Sequence, residues 1–431
     1  MCVAALAAGM SAKAQLLGGR LPLPSPDALA QLPPVRWAPQ LEQKLDPANL
    51  LDLRRERLDE FVRAHRATVE HDEAGNPVVR GRILALAPDP GALAAATQAG
   101  FEVQGVERLE AIGVEVTILG APRGVSASAA LRWLRAIDPS ASWDYDHLYF
   151  EAGALAASPA EASPAETGRA ETAQGGPARV RVGLIDTGAD ARNPALKPAR
   201  IEARGFAPGA PAPRPHGTAT AALIAGASGT FRGSAPGATV LAADVYGTAG
   251  GGDALGLARA LAWMAQAGAP VVNVSLVGPA NRLLEASVRA LTAHGQIVVA
   301  AVGNDGPAAP PMYPASYPDV VAVSGVDGRG RPLLEAGRAS HVEFCAPGAD
   351  MAAPAGPSGF AAVRGTSFAA PLVAGLLARE LDRPDPAKAR TAVEALARRA
   401  APAGPACGRG IVAADLRTPP QALHAGAWPQ P

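Results

Sequence analysis

Three short segments of the chain carry residue types that together could cleave an acyl bond. Asp186 ends the apolar run Val180-Arg-Val-Gly-Leu-Ile-Asp, His216 opens a stretch of small residues, and Ser367 lies in Gly365-Thr-Ser. Serine is a weak nucleophile at neutral pH, so it needs a base and a group that orients this base. A histidine and an acid can fill these two roles. The three segments therefore indicate nucleophilic catalysis by a serine.

Each of these side chains lies where a neighbouring element can hold it. The apolar run before Asp186 predicts a buried strand, and the carboxyl ends of such strands are where open α/β sheets keep their sites. His216 and Ser367 each begin a run of small and apolar residues that predicts a buried helix. Gly-Thr-Ser is also an ordinary sequence for the start of a helix, so the serine segment alone leaves a purely structural role open.

Asn304 is a candidate for stabilising the oxyanion that an acyl transfer forms. It follows the apolar run Ile297-Val-Val-Ala-Ala-Val and lies in Gly-Asn-Asp-Gly. An asparagine side chain can donate a hydrogen bond to the negative oxygen of a tetrahedral intermediate. Asparagine before Asp-Gly is also common in turns. Its position between the histidine and serine segments is what favours the catalytic interpretation.

In chain order, the aspartate, histidine and serine segments resemble the signature blocks of the subtilases, the subtilisin-like serine peptidases. The resemblance covers about residues 178–418. One such triplet arises by chance in a chain rich in glycine and alanine, but three in order are specific. The resemblance implies that Ser367 is the nucleophile, His216 the general base and then acid, Asp186 the orienting carboxylate and Asn304 an oxyanion donor.

The resemblance also implies which residues bind substrate. Val271-Val-Asn-Val-Ser-Leu-Val-Gly278 predicts a buried strand whose end would pair with an extended peptide. The residues assigned to substrate are Ser275, Leu276, Val277 and Gly278 from this strand, together with Gly303 beside the oxyanion asparagine. A glycine is common in the family at the position of Val277, so its branched side chain is expected to narrow the cleft.

For residues 179–418 the resemblance implies an α/β fold, the subtilisin-like arrangement of three layers around a mostly parallel sheet. Residues 75–150 predict a separate, smaller α+β domain with the ferredoxin-like order βαββαβ. Its predicted elements are a strand from Arg80, a helix over Pro90 to Ala99, strands over Phe101 to Val106 and Ile112 to Leu119, a helix over Ser126 to Ile137 and a strand over Ala141 to Phe150.

Subtilases commonly carry a domain of this kind as a propeptide that blocks the cleft, so the resemblance implies a zymogen. We expect the chain to cut itself between about Phe150 and Arg181. Residues 151–178 are rich in Ala, Ser, Pro, Glu, Thr and Gly, which predicts a solvated linker. A permanent accessory domain is the alternative to a propeptide.

The beginning of the chain resembles an export signal. Residues 1–14 are mostly apolar and end in Ala12-Lys-Ala14, an A-x-A type cleavage site, although a positive first region is missing. This pattern predicts an exported, periplasmic or extracellular protein. Residues 15–74 are rich in proline at first and then show helical spacing from Leu51 to Val69, and residues 419–431 form a C-terminal tail.

Composition limits the classes of partner. The 431 residues include 39 basic and 39 acidic side chains, a formal net charge of zero, which argues against a nucleic-acid partner. No run is long and apolar enough to predict a membrane span. Cys345 and Cys407 could form a disulfide or remain buried thiols. No cofactor is expected. The resemblance leaves structural calcium open, without assigned ligands.

These patterns together predict a secreted serine endopeptidase that hydrolyses peptide bonds through an acyl-enzyme. Its expected partners are protein or peptide substrates and its own propeptide-like domain. Two other functions remain open. The chain could be a processing protease dedicated to one partner, or a pseudopeptidase that keeps the fold as a binding module.

Overall fold

The computed structural model describes residues 47–152, 180–247 and 250–423. The predicted signal peptide, the proline-rich segment before residue 47, most of the predicted linker and the tail from residue 424 lie outside the described residues. Within them, no helix is long and apolar enough to cross a membrane.

The region before the predicted linker forms a small α+β unit that follows an additional helix. Its elements are α1 (Pro47–Ala64), β1 (Val69–His71), β2 (Pro77–Leu86), α2 (Pro90–Gln98), β3 (Glu102–Leu109), β4 (Val114–Gly120), α3 (Ala127–Ile137) and β5 (Ser142–Glu151). From β2 to β5 the order is βαββαβ, the order that the sequence predicts. The strands pair antiparallel in the order β5-β2-β4-β3, and α2 and α3 pack on one face around Leu131 and Trp143.

The larger region begins with a strand that ends on the catalytic aspartate candidate. Its strands are β6 (Arg181–Asp186), β7 (Arg200–Gly205), β8 (Ala227–Ser228), β9 (Phe231–Arg232), β10 (Thr239–Asp244), β11 (Gly252–Asp253), β12 (Val271–Val274), β13 (Leu276–Val277), β14 (Ile297–Ala301), β15 (Val320–Val326), β16 (Phe344–Pro347), β17 (Met351–Pro354) and β18 (Phe360–Val363). Its helices are α4 (Pro215–Ala225), α5 (Ala254–Gln266), α6 (Arg282–Ala293), α7 (Thr366–Ala378) and α8 (Pro386–Arg399).

A seven-stranded parallel sheet forms the middle layer of this region, in the order β16-β15-β14-β12-β6-β10-β7. Its central strands are buried on both faces, which explains their continuous apolar sequences. Leu184 of β6 packs in the cluster that contains α4 and α7, whereas the next residue, Ile185, packs in the cluster that contains α5 and α6. The helices therefore cover both faces of the sheet, and the predicted subtilisin-like α/β fold is confirmed.

Strand β5 joins the small unit to the larger region. Its last residues pair antiparallel with β11 on one side and with β13 on the other, with Tyr149 opposite Gly252 and Glu151 opposite Leu276. Two carboxylates of β5 also accept hydrogen bonds at the beginnings of helices: Asp146 from the backbone N–H of Leu255 and Asp144 from that of Arg282. An acidic side chain is stabilised there by the unpaired N–H groups of the helix.

The start of the predicted linker is wrong by two residues. Glu151 is the last residue of β5, and Ala152 is only 1% exposed rather than solvated. Glu151 and Ala152 are ordered by contacts with the larger region. The composition of their own segment does not indicate these contacts. Farther along, Cys345 and Cys407 form a disulfide, the first of the two states left open by the sequence.

Candidate active site

The three residues with predicted catalytic roles meet at the carboxyl edge of the parallel sheet. Nδ1 of His216 lies 2.8 Å from Oδ1 of Asp186, and its Nε2 lies 3.0 Å from Oγ of Ser367. In the neutral imidazole, Nδ1–H donates to the carboxylate, which leaves Nε2 to accept the hydroxyl proton of Ser367. All three residues are buried. The arrangement can activate a serine for attack on a carbonyl carbon.

The surrounding elements fix each of these side chains. Asp186 is the last residue of β6, while His216 and Ser367 are each the second residue of a buried helix, α4 and α7. The Asp186 carboxylate also accepts hydrogen bonds from the backbone N–H of Thr187 at 2.6 Å and from Oγ1 of Thr220 at 3.0 Å. Thr220 is not among the site residues predicted from the sequence, although it follows His216 by four residues and so shares its helix face.

Opposing effects set the proton affinity of the imidazole. Burial alone lowers the pKa of His216, but the carboxylates of Asp186 and Glu151 outweigh it and raise this pKa to about 9. Burial raises the pKa of Glu151 itself. Because Glu151 belongs to β5, the small unit directly stabilises the protonated, non-basic form of His216.

Asn304 is placed to stabilise an oxyanion. Its Nδ2 donates to the carbonyl oxygen of Ala152 at 2.6 Å, and its Oδ1 accepts from the backbone N–H of Thr366 at 3.0 Å. Gly365 leaves the space for this contact: a Cβ there would lie 3.1 Å from Nδ2 of Asn304 and 3.3 Å from the Ala152 oxygen, and its φ is +145°. The carbonyl of Ala152 thus lies where an oxyanion would need a hydrogen-bond donor.

Residues predicted to bind substrate surround the end of β5. The carbonyl oxygen of Ser275 accepts from the backbone N–H of Ala152 at 3.2 Å. Leu276 pairs with Glu151, and Val277 pairs with Phe150. The end of β5 therefore occupies the cleft as an added strand, which is how extended peptides bind to sheet edges.

Gly278 packs against the ring of Tyr149, and the residue after it contacts the hydroxyl group. A Cβ on Gly278 would lie 2.4 Å from Cδ1 of this tyrosine, so only glycine leaves room for the ring. The hydroxyl of Tyr149 donates to the carbonyl oxygen of Pro279 at 2.9 Å, and the side chain is fully buried. The cleft thus has a fitted place for an aromatic residue three positions before Ala152.

Gly303 lies beside two apolar side chains, those of Val277 and Met312. A Cβ on Gly303 would lie 3.5 Å from Cγ1 of Val277 and 3.8 Å from Cγ of Met312. Gly303 has a φ of +96°, a conformation that glycine adopts without strain. Val277 belongs to the same buried apolar cluster as Ala152. The narrowing of the cleft by its branched side chain stays a prediction.

Family comparison agrees with the fold. The model of the subtilase family matches residues 178–418, more than half of the chain. The chain therefore belongs to the subtilase family, the subtilisin-like serine peptidases. In the described residues, no group of three or more His, Cys, Asp or Glu residues could hold a metal ion.

Several curated proteins are similar in sequence to this chain. It is 34% identical over 208 residues to Subtilisin Savinase of Lederbergia lenta, which covers 46% of this chain and 75% of that protein. It is 32% identical over 203 residues to Thermitase of Thermoactinomyces vulgaris, a match that covers 46% of this chain and 72% of that protein. M-protease of Shouchella clausii is 34% identical over 208 residues, and the match spans about half of its length, 53%.

Two solved structures show related folds. The chain superposes on fervidolysin from Fervidobacterium pennivorans with a TM-score of 0.63 and 20% identity, over 82% of this chain and 62% of that one. A mutant of the protease domain of PatA gives a TM-score of 0.50 at 28% identity, and the match covers 55% of this chain and 92% of that one. The first match extends beyond the residues matched by the family model.

Proposed function

We propose that this protein is a serine endopeptidase that hydrolyses peptide bonds through an acyl-enzyme. The observation that carries the proposal is the continuous chain of hydrogen bonds from Asp186 through His216 to Ser367, next to a carbonyl oxygen held by Asn304. This combination supplies the nucleophile, the base and the oxyanion donor that peptide hydrolysis requires.

In the proposed reaction, Oγ of Ser367 attacks the carbonyl carbon while its proton moves to Nε2 of His216. The carbonyl oxygen becomes negative and is stabilised by Nδ2 of Asn304. His216 then gives its proton to the leaving amine as the C–N bond breaks, which forms the acyl-enzyme. A water molecule, deprotonated by His216, attacks the ester. As the bond to Oγ breaks, His216 returns the proton to Ser367, and the acid is released.

We propose further that the protein is made as a zymogen whose first substrate is its own chain, cut between Ala152 and Gly153. The carbonyl oxygen at the Asn304 amide belongs to Ala152, and the preceding residues pair with both edges of the cleft. A strand held in this way supports a bond at residue 152 within the wider range predicted from the sequence. After the cut, residues up to Ala152 would remain as an inhibitor in the cleft.

We also propose that the enzyme is exported. Two observations support this: the signal-like residues 1–14 with their Ala12-Lys-Ala14 site, and the disulfide between Cys345 and Cys407. Disulfides persist mainly in oxidising compartments such as the periplasm or the extracellular space. N-terminal sequencing of the protein from its culture medium or periplasm tests this proposal, and recovery only from the cytoplasm contradicts it.

A fluorophosphonate probe, which forms a bond with activated serines, tests the catalytic proposal. We expect the processed wild type to be labelled and to begin at Gly153, whereas Ser367→Ala stays uncut and unlabelled. Ser287→Ala is a matched control, because this buried serine lies on α6 and its hydroxyl donates to the carbonyl of Leu283. Absence of labelling in folded, processed wild type would overturn the proposal.

A further inference from the structure

Helix α1 places a continuous face against the occupied cleft. Leu50, Arg54, Arg57 and Phe61 follow one another at intervals of three or four residues, and Leu58 lies four residues after Arg54 and three before Phe61. This spacing of about one helical turn aligns them along one side of the helix. Asp52 and Arg55 lie on the other side. These two side chains are 69% and 66% exposed and form an ion pair with each other.

One end of this face contacts the loop that carries the oxyanion donor. Nε of Arg54 and Nη2 of Arg57 each lie 3.1 Å from a different oxygen of Asp305, the residue directly after Asn304. The Asp305 side chain is only 8% exposed. Next to it, a Cβ on Gly306 would lie 2.9 Å from Cδ1 of Leu50, so the helix packs directly on the loop backbone.

The other end reaches the opposite side of the cleft. Phe61 packs edge-on against Phe150 of β5, with ring centroids 5.0 Å apart. A Cβ on Gly250, just before β11, would lie 3.7 Å from Cε2 of Phe61. Leu58 also belongs to the apolar cluster that contains Phe150. The helix therefore passes over the strand in the cleft, from the Asp305 side to the β11 side.

The charges at this contact favour docking of a helix face that presents arginine side chains. Burial lowers the pKa of the Arg57 guanidinium, and the neighbouring Asp305 opposes this effect. In the described residues, both ion-pair partners of the Asp305 carboxylate come from α1. Separation of the helix would leave this carboxylate without its two cationic partners, and removing one partner of a buried pair costs more than an exposed pair contributes.

We propose that α1 is a second inhibitory anchor, and that Asp305 and Gly306 form a docking surface on the peptidase for the helix face that carries Arg54 and Arg57. The proposal rests on the zymogen function proposed above. After the cut at Ala152, the cleft still binds the end of β5 as a reaction product. The same fragment is also held by α1, through its contacts with Asp305 and Gly306 outside the cleft. Cleavage and release are then separate steps, and the Asp305 contact controls the rate of release.

The experiment uses the full chain with Ser367→Ala and a recognition sequence for an unrelated protease inserted within residues 153–179. After that protease cuts, dissociation of the N-terminal fragment is followed by size-exclusion chromatography. The double variant Arg54→Gln/Arg57→Gln is expected to release its fragment at least about tenfold faster, because loss of a buried charge pair acts mainly on dissociation. Arg55→Gln, on the exposed side of the same helix, is the matched control. Its fragment is expected to dissociate at the rate of the parent protein.

A double-mutant cycle separates direct pairing from general weakening of the helix. Asp305→Asn changes the peptidase side of the contact and is expected to speed release as much as the arginine variant does. Combining the two is expected to add little, because they remove the same interaction. Equal release rates in all variants, or fully additive effects, would overturn the proposal. The inactive background makes either outcome independent of catalysis by Ser367.

Discussion

The side-chain amide of Asn304 donates a hydrogen bond of 2.6 Å to the carbonyl oxygen of Ala152, a residue 152 positions earlier in the chain. The other atom of the same amide, Oδ1, accepts from the backbone N–H of Thr366, the neighbour of the nucleophile candidate. Asn304 thus holds the bound carbonyl and the start of the serine helix with one rigid group. This relationship links the predicted oxyanion donor, the predicted nucleophile and the proposed processing site.

Replacing Asn304 by aspartate is predicted to lower kcat for peptide hydrolysis by about 100- to 1,000-fold, with little change in KM. The aspartate retains an acceptor for the Thr366 N–H but loses the donor and introduces a like charge beside the oxyanion. Steady-state kinetics on a peptide substrate measures the effect, and circular dichroism checks the fold. An unchanged kcat would remove Asn304 from the catalytic mechanism.

Much of the site could be predicted because each residue lies within a local pattern. Asp186 ends an apolar strand, and His216 and Ser367 each begin a helix of small residues, so their own neighbours indicate their positions. Thr220 could have been found from its spacing of four residues after His216 on the same helix. The parallel sheet was predictable from its continuous apolar strands.

The contacts of β5 and α1 could not be predicted in the same way. Glu151 and Ala152 have the composition of a linker, and they are ordered only by pairing with a strand more than 120 residues away. The Arg54 and Arg57 contacts to Asp305 span 251 and 248 residues. Such pairings depend on how the two regions fold together, which local periodicity does not encode.

Gly278→Ala is predicted to change the preference of the cleft for the residue at the position of Tyr149. The added Cβ would lie 2.4 Å from the tyrosine ring, closer than packed atoms approach. We expect kcat/KM to fall at least about tenfold more for a peptide containing Tyr-Phe-Glu-Ala before the cut bond than for the matched Ala-Phe-Glu-Ala peptide. An equal loss with both peptides would mean that Gly278 does not select this residue.

Removal of the disulfide is predicted to destabilise the peptidase region. Cys345 and Cys407 close a loop with a sequence separation of 62, and such a cross-link contributes about 2 to 4 kcal/mol to the free energy of unfolding. The variant Cys345→Ala/Cys407→Ala in the Ser367→Ala background is therefore expected to unfold at lower urea concentration. Reductant should lower the urea concentration at the unfolding midpoint of the parent protein to nearly that of the variant, and should leave the variant's midpoint unchanged. A midpoint unaffected by either treatment would contradict the prediction.

Self-processing is predicted to accelerate as the pH rises through about 9. With the cleft occupied, the pKa of His216 is raised to about 9, and only the neutral imidazole accepts the Ser367 proton. The protonated form dominates below this pKa, so the processing rate should fall there. The Glu151 carboxylate stabilises the charged imidazole, so Glu151→Gln is expected to move the midpoint of the rate profile to lower pH.

Single-turnover processing of freshly refolded chain, measured across pH by gel electrophoresis, tests this shift. Glu102→Gln is the matched control, because Glu102 is exposed on β3 of the same unit. After the proposed cut and release, the enzyme would lack Glu151 in its cleft, so its hydrolysis of small peptides should also reach half its maximum at lower pH than processing does. If the processing rates of Glu151→Gln and Glu102→Gln had the same midpoint pH, the charge of Glu151 would not control the protonation of His216. Slow processing at neutral pH would then need another cause.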